Sequence, residues 1–394
     1  MFCGPEVFAM RNRLASISLL LLGLILFVAT ALGQDQSSQT PQNPNKQDAP
    51  PAAGGPGEDI SPYAIPKKKD EPPPPPPPEK PKKIEGMPDY SIKVDVPVVN
   101  VDVLVTTKDG QFIPGLKKEN FRISEDGVAQ NISNFNQTLA PITAVMLIEY
   151  ASTNYNYMVE ALNASYMFAS TLRKDDWIAV ESYDMKPQIL TDFTQDKREV
   201  MGALNMLRIP GFSERNLFDA VYDTIDRIDR LDGRKYIILV STGRDTFSKL
   251  NLDQMLKKLR ATQNITIYAV SVGRAYREWL DAHGYAGGIM LTDWLQADNQ
   301  MNTFAHLTGG RAYFPRFTGE LPEIMKDIST DIRNQYSLAY HPTNPKLDGT
   351  YRKLKVELVA ADGSGPLKVK DQKGKDVKFQ IWAREGYTAK HQVE

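Results

Sequence analysis

Three continuous apolar runs in the middle of the chain predict buried β-strands. These runs are AVMLI (144–148), YIILVS (236–241) and ITIYAVSV (265–272). Strands of a parallel sheet are covered by helices on both faces, so their residues are apolar without the alternation of a half-exposed strand. The runs therefore predict the centre of a mostly parallel sheet.

Amphipathic segments separate these runs. In residues 216–233 the apolar residues Leu217, Val221, Ile225 and Ile228 recur at helical spacing and form one stripe. Strands that alternate with helices in this way predict an α/β domain with a doubly wound, mostly parallel sheet. We place this Rossmann-like domain at residues 140–335.

The flanking segments have a different period. Residues 92–107 (IKVDVPVVNVDVLVTT) alternate apolar and polar positions, and residues 121–135 contain a turn signal at Glu125-Asp126-Gly127. Strand-like segments return after residue 336. Alternation of this kind is typical of antiparallel sheets with one solvated face. We therefore predict a discontinuous β-sandwich-like domain, formed by residues 89–139 and 336–394.

The beginning of the chain has the composition of an export signal and a spacer. Arg11 and Arg13 precede an uncharged apolar run at residues 14–32. This pattern predicts a secretory signal over residues 1–33, and the alternative is an uncleaved anchor in which residues 14–32 span a membrane. Residues 34–88 are polar and proline-rich, and Pro72–Pro78 favour polyproline II, so we predict a disordered linker. We therefore expect the protein to be exported and to be periplasmic, cell-envelope-associated or secreted.

Charge and composition restrict the classes of function. The formal net charge is −1, which gives no electrostatic reason to expect nucleic acid as a partner. The four histidines are scattered, so a histidine-built zinc site is not expected. The one cysteine, Cys3, precedes the apolar run, so no disulfide is expected in the mature protein.

Polar residues follow the first and second buried runs directly. Glu149 ends the first run and Ser241 ends the second. Ligands of doubly wound sheets bind at the carboxyl ends of the strands, beside the point where the strand order reverses. We therefore expect the binding surface at this edge of the sheet.

The chain resembles the von Willebrand factor A (VWA) domain family, and in particular exported VWA-related proteins of Acidobacteria. The resemblance rests on LIEYAST (147–153), ERNLFDAVYD (214–223) and ILVSTGRDT (238–246), which occur in the order of that family. The flanking strands are similar as well, so the resemblance covers about residues 95–388. It implies a VWA fold and a binding module.

The resemblance also implies a metal-ion-dependent adhesion site, which is degenerate in this chain. Glu149 takes the position of the leading Asp, and Ala151 and Thr153 take those of the two serines, with Ser152 between them. Arg215 falls on the second-loop Thr, next to Asn216. Thr242 falls on the third-loop Asp, and Asp245 lies three residues further on.

These replacements predict that Arg215 substitutes for the metal ion. An Arg beside a divalent ion would repel it, whereas a guanidinium pairs readily with a carboxylate. We therefore expect Arg215 to pair with Glu149 and expect no cofactor. The alternative is weak Mg²⁺ or Ca²⁺ binding, with Glu149, Thr153 and Thr242 as the ligands.

The resemblance, with no recognisable catalytic motif, predicts a non-enzymatic protein that binds a protein or glycan at the cell surface or in the periplasm. The expected binding rim consists of Glu149, Ser152, Thr153, Arg215, Asn216, Thr242 and Asp245. A second candidate surface is the segment 275–300, which carries Trp279 and Trp294, and the alternative for this segment is a plain helical insertion that covers the sheet. The alternatives are a structural envelope scaffold without a ligand at this edge, and a metal-dependent adhesin with weak Mg²⁺ binding.

Overall fold

A computed structural model describes residues 97–138, 141–151, 155–207, 212–362, 364–370 and 374–391. All of them belong to one unit, Asp59–Glu394. The predicted signal or anchor (1–33) and the predicted proline-rich linker (34–88) lie outside the described residues. Among the helices of the described part, none combines the length and the apolar character needed to cross a membrane.

Sixteen strands are found in the described part of the chain. They are β1 (Val99–Thr107), β2 (Phe121–Glu125), β3 (Val128–Gln130), β4 (Ile132–Thr138), β5 (Thr143–Glu149), β6 (Trp177–Tyr183), β7 (Pro187–Thr194), β8 (Lys235–Ser241), β9 (Ile265–Ser271), β10 (Ala312–Tyr313), β11 (Gln335–Tyr340), β12 (Tyr351–Leu358), β13 (Val369–Lys370), β14 (Asp376–Val377), β15 (Phe379–Ala383) and β16 (Gly386–Thr388).

Seven α-helices are found in the same described ranges. They are α1 (Tyr155–Thr171), α2 (Lys197–Met206), α3 (Leu217–Asp229), α4 (Leu252–Ala261), α5 (Arg274–Ala282), α6 (Gly288–Thr308) and α7 (Leu321–Arg333). Two short 3₁₀ turns, Lys118–Asn120 and Thr318–Glu320, precede β2 and α7.

A six-stranded sheet forms the centre of the α/β part, in the order β10-β9-β8-β5-β6-β7. The pairs from β10 to β6 are parallel, and only β7 runs antiparallel to its neighbour. Every residue of β5 and β8 is buried, as their apolar sequences require. The prediction of a doubly wound, mostly parallel sheet is confirmed. Its strand order reverses between β5 and β8, which lie side by side.

Helices cover both faces of this sheet. Buried residues of α1, α2 and α7 pack on one face, and those of α3, α4 and α6 pack on the other. The stripe predicted on α3 is fully buried: Leu217, Val221, Ile225 and Ile228 all face the sheet. Both faces of the sheet are therefore closed to solvent, and only its edges are available for binding.

The flanking strands form a β-sandwich. One sheet has the order β15-β1-β11-β4 and the other has the order β16-β12-β2-β3. Their inner faces share one apolar core, in which Val103 of β1, Ile123 of β2, Tyr336 of β11 and Leu354 of β12 are buried together. Strands from both ends of the described chain thus complete one sandwich, as the alternating flanks predicted.

Two buried ion pairs hold α7 in place. Arg333 donates two hydrogen bonds to Asp176, at 2.9 and 2.5 Å. Burial alone would raise the pKa of Asp176, but the bonds from Arg333 and from backbone amides outweigh it and lower that pKa. Arg311 Nη1 lies 2.7 Å from Asp331 Oδ2, and the Tyr313 hydroxyl lies 3.1 Å from it. Here burial prevails and raises the pKa of Asp331 to about 6.

Candidate functional site

The candidate site lies where the strand order of the central sheet reverses. Glu149 ends β5, Ser241 ends β8, and the register pairs Ile148 with Val240. The strands β5 and β8 therefore end side by side at the carboxyl edge of the sheet. Thr242 follows Ser241 directly, which brings its hydroxyl over the same edge.

Glu149 is the centre of a buried hydrogen-bond network. Its Oε2 accepts bonds from Ser241 Oγ at 2.7 Å, the Thr242 backbone amide at 2.8 Å and the Tyr183 hydroxyl at 3.4 Å. The Thr242 hydroxyl lies 2.9 Å from both carboxylate oxygens. The Glu149 carboxylate thus has most of its hydrogen-bonding capacity already used.

Arg215 supplies the positive charge beside it. Arg215 Nη1 lies 3.4 Å from Glu149 Oε1 and 3.5 Å from Thr242 Oγ1. Only 4% of Arg215 and 6% of Glu149 are exposed, so the pair is shielded from solvent. The contact predicted from the sequence between these two residues is present in the structure.

Hydrogen bonds from the loop after β8 fix the backbone of Arg215. Its amide donates to Thr246 Oγ1 at 2.8 Å, and its carbonyl accepts from the Thr246 amide at 2.9 Å. The side chain is less completely satisfied, because its buried Nε has no hydrogen-bond partner. The loop after β8 therefore sets the position of the guanidinium next to Glu149.

The described residues do not fit a magnesium ion. Mg²⁺ takes oxygen ligands in octahedral geometry, at about 2.0–2.1 Å. Here one carboxylate, Glu149, is engaged by hydroxyl and amide donors, and the cation of Arg215 stands beside it. Across the described ranges, no group of three or more His, Cys, Asp or Glu side chains is placed to hold a metal ion.

Asn216 and Asp245 bind backbone groups of adjoining loops. The Asn216 amide group donates to the Met185 carbonyl at 3.0 Å and its Oδ1 accepts from the Phe247 amide at 3.2 Å. Asp245 Oδ1 accepts from the amide of Phe218, in the first turn of α3, at 3.1 Å. These two predicted rim residues thus tie the loops after β6 and β8 to the start of α3.

Two further predicted rim residues are not among those that the structure describes. Ser152 and Thr153 lie outside the described residues. Ala151, which precedes them, is buried. The structure therefore brings together Glu149, Arg215 and Thr242, while binding of a partner by any rim residue stays a prediction.

Two partners of Glu149 were not predicted from the sequence. Tyr183 ends β6, and its hydroxyl lies 2.9 Å from Ser241 Oγ. Burial, followed by the nearby charge of Glu149, raises the pKa of Tyr183 well above its usual value, so it stays a neutral donor. The available signal was positional: Tyr183 and Ser241 are the last residues of the strands on either side of β5.

Helices α5 and α6 contact each other at the same carboxyl edge of the sheet. The carbonyl of Ala297, in α6, lies against Gly243 in the loop after β8, and Thr308 at the end of α6 bonds to Ile267 of β9. Residues 288–296 of α6 therefore extend past the sheet, by about 13 Å at the helical rise of 1.5 Å per residue. The segment predicted as a second candidate surface projects from the same edge as the Glu149–Arg215 pair.

The comparisons with known proteins found similarity to solved structures only. No family model and no curated protein matches the chain. One similar solved structure is a von Willebrand factor type A protein from Catenulispora acidiphila, at 12% identity and TM-score 0.39, covering 68% of this chain and 74% of that one. Another is the ArnB paralog VWA2 from Sulfolobus acidocaldarius, at 11% identity and TM-score 0.35, covering 73% and 75%. Likenesses at this level carry no argument about the site.

Proposed function

We propose that this protein is an exported, non-enzymatic VWA-like module that binds a partner at the cell envelope through the carboxyl edge of its sheet, without a metal ion. The resemblance in sequence supports the class of protein. The observation that carries the proposal is the contact of 3.4 Å between Arg215 and Glu149 inside a buried network. A fixed side-chain cation there takes the place of a bound ion.

In this proposal the buried pair positions the loops and does not itself contact the partner. Glu149, Arg215 and Thr242 are almost completely buried, so they offer little surface to another molecule. They instead fasten the ends of β5 and β8 to the segment before α3. A buried network of short hydrogen bonds around one carboxylate gives the loops one defined arrangement.

Exposed apolar side chains on the same loops supply the contact surface. Met185 and Phe247 are exposed, and their backbones are the two groups that Asn216 bridges. Phe212, in the segment before α3, is exposed as well. Exposed apolar side chains grouped on one face are typical of protein interfaces, so we favour a protein partner over a glycan.

Site-specific photo-crosslinking tests this proposal. A benzoylphenylalanine replaces Phe247 (68% exposed) in the full chain, and the matched control replaces Val128 (56% exposed) in the sandwich. After irradiation of intact cells, we expect a discrete adduct from position 247 and none from position 128. Adducts of equal yield from both positions, or none from position 247, would contradict binding at this edge.

A further inference from the structure

A row of aromatic side chains lies on the outer face of α5 and on the turn that follows it. We name it the aromatic strip, and it consists of Tyr276, Trp279, His283 and Tyr285. The rings of Tyr276 and Trp279 are 6.0 Å apart and 13° from parallel, and Trp279 lies 4.5 Å from His283 and 5.8 Å from Tyr285. Trp279 is 48% exposed and Tyr285 is 65% exposed. Exposed apolar side chains that form a contiguous group are typical of interaction sites, and aromatic rings with polar groups are frequent in them.

The strip is joined firmly to the carboxyl edge of the sheet. Tyr157 of α1 packs edge-on against Tyr276, at 5.9 Å, and its ring also covers Gly273. Gly273 has a φ of 85°, and a Cβ there would lie 2.3 Å from the Tyr157 ring. A glycine is therefore required at the start of α5, and this close approach fixes the helix.

Arg277, on the opposite face of α5, connects the helix to the sheet and to α6. It is buried and donates to Ser271 at the end of β9 and to Asp298 of α6, both at 3.0 Å. At the other end of the helix, His283 Nδ1 lies 2.8 Å from the Trp279 carbonyl. The exposed rings thus stand on an anchored scaffold, which lowers the entropy lost on binding.

A row of neighbouring, partly exposed rings of this kind suits a polyproline II ligand. Proline rings pack flat against aromatic side chains, and the preformed polyproline II helix loses little entropy when it docks. The strip presents tryptophan and tyrosine rings in one row, on a helix that also carries the ion pair of Arg274 and Glu278. A proline-rich peptide is therefore the class of ligand we assign to it.

The chain carries such a ligand itself. We infer that the aromatic strip binds the run of seven prolines Pro72–Pro78 of the same chain. The run is bordered by Glu71 and Glu79 and is the longest proline run in the sequence. A ligand tethered to its own site is presented at an effective concentration in the millimolar range, so that even a weak contact is occupied.

The connecting segment is long enough for this contact. Pro97, the first described residue, lines a cavity together with Gln263, which precedes β9 at the amino edge of the sheet. From Pro78 to Pro97 is 97 − 78 = 19 residues, which reach about 60 Å when extended. The strip lies beyond the other end of β9, whose seven residues are about 23 Å long. The tether therefore exceeds the distance to be covered.

This inference rests on the proposed function only in placing a binding surface at the carboxyl edge. In the two together, the proline run occupies one part of that edge, and the loops around Phe247 remain free for the external partner. The two can fail separately, because the crosslinking at position 247 does not involve the strip.

Calorimetric titration of the full chain with a synthetic peptide of residues 67–83 tests the inference. The recipient is a full-length variant in which serine replaces all seven prolines, which vacates the strip. We expect saturable binding to this variant and a loss of at least about tenfold when Trp279→Ala is added. The matched control, Ile289→Ala, removes another exposed apolar residue of the same projection and should leave the affinity unchanged.

The same titration of the native chain shows whether its own proline run occupies the strip. We expect the native chain to bind the added peptide at least about tenfold more weakly than the serine variant, since its own run fills the strip. Equal affinities of the two chains, no binding to the serine variant, or binding insensitive to Trp279→Ala would each overturn the inference. A concentration-dependent dimer of the native chain that the serine variant lacks would assign the run to a second copy instead, and would overturn it too. Circular dichroism melts show whether each variant is folded.

Discussion

The buried pair of Arg215 and Glu149 gives the most demanding prediction on stability. The perturbation is a double-mutant cycle with Arg215→Met, which keeps the apolar stem, Glu149→Gln, which keeps the shape, and both together. At the observed 3.4 Å, the Coulomb attraction is about 5 kcal/mol for an effective dielectric constant of about 20. Desolvation of both groups offsets much of this, so the net contribution of the pair is smaller.

The cost of each single substitution follows from what it leaves unpaired. After Arg215→Met, Glu149 keeps its bonds from Ser241 and Thr242, so we expect a loss of about 2–3 kcal/mol. After Glu149→Gln, the buried guanidinium has no opposite charge and its Nε is already without a partner, so we expect about 4 kcal/mol. The double variant removes both charges and should cost about 2 kcal/mol less than the sum.

Urea unfolding followed by circular dichroism measures these losses, with midpoint and slope fitted separately. Arg198→Met serves as the control, because Arg198 also pairs with a carboxylate, that of Asp196 at 2.7 Å, but lies on the surface. Exposed pairs contribute about 0–1 kcal/mol, so this variant should stay close to the parent. A cost of Arg215→Met no larger than that of the control, or additivity of the two site substitutions within about 0.5 kcal/mol, would show that the two side chains do not interact.

Two further predictions concern the ion pairs that hold α7. Burial raises the pKa of Asp331 to about 6, so the folded protein binds the proton of this carboxyl group more tightly than the unfolded chain does. The stabilisation of the folded state by this proton is complete below about pH 3.8. It is lost as the pH rises through about 6, and the loss is roughly 2–3 kcal/mol. Urea midpoints measured from pH 4 to 7 should show a flatter profile for Asp331→Asn, and an unchanged profile would contradict the burial of that carboxyl. Asp176→Asn leaves Arg333 buried opposite a neutral group and should cost about 3–5 kcal/mol at neutral pH, where Asp176, with its lowered pKa, is ionised. A loss below about 1 kcal/mol, measured by the same unfolding assay, would show that the pair is dispensable.

The fold could be predicted from the sequence because its signals are local. The apolar runs that became β5, β8 and β9 fill most of each strand without the alternation of a half-exposed strand, as expected of strands buried on both faces. The stripe on α3 gave the helix and its buried face together. The alternating flanks indicated a sandwich, but its strand order depends on pairings between distant segments, such as β1 with β11, that no local pattern specifies.

The site was predictable only in part. Arg215 at a position where the resembled family has a neutral hydroxyl, together with Glu149, predicted a contact that the structure contains. The burial of both could not be predicted, because it depends on how the loops before α3 and after β8 close over them. The same holds for Asn216 and Asp245, because each accepts or donates hydrogen bonds with backbone groups of distant segments, which no local pattern specifies.

A manganese soak of crystals of the protein shows whether the Arg215 cation stands where a metal ion would otherwise bind. Mn²⁺ takes the same oxygen ligands as Mg²⁺ and is visible by its anomalous scattering. We expect no anomalous peak at the ends of β5 and β8, with the Arg215 side chain still in contact with Glu149. A manganese ion bonded to Glu149, with Arg215 displaced from the carboxylate, would contradict the replacement of the ion by the Arg215 cation.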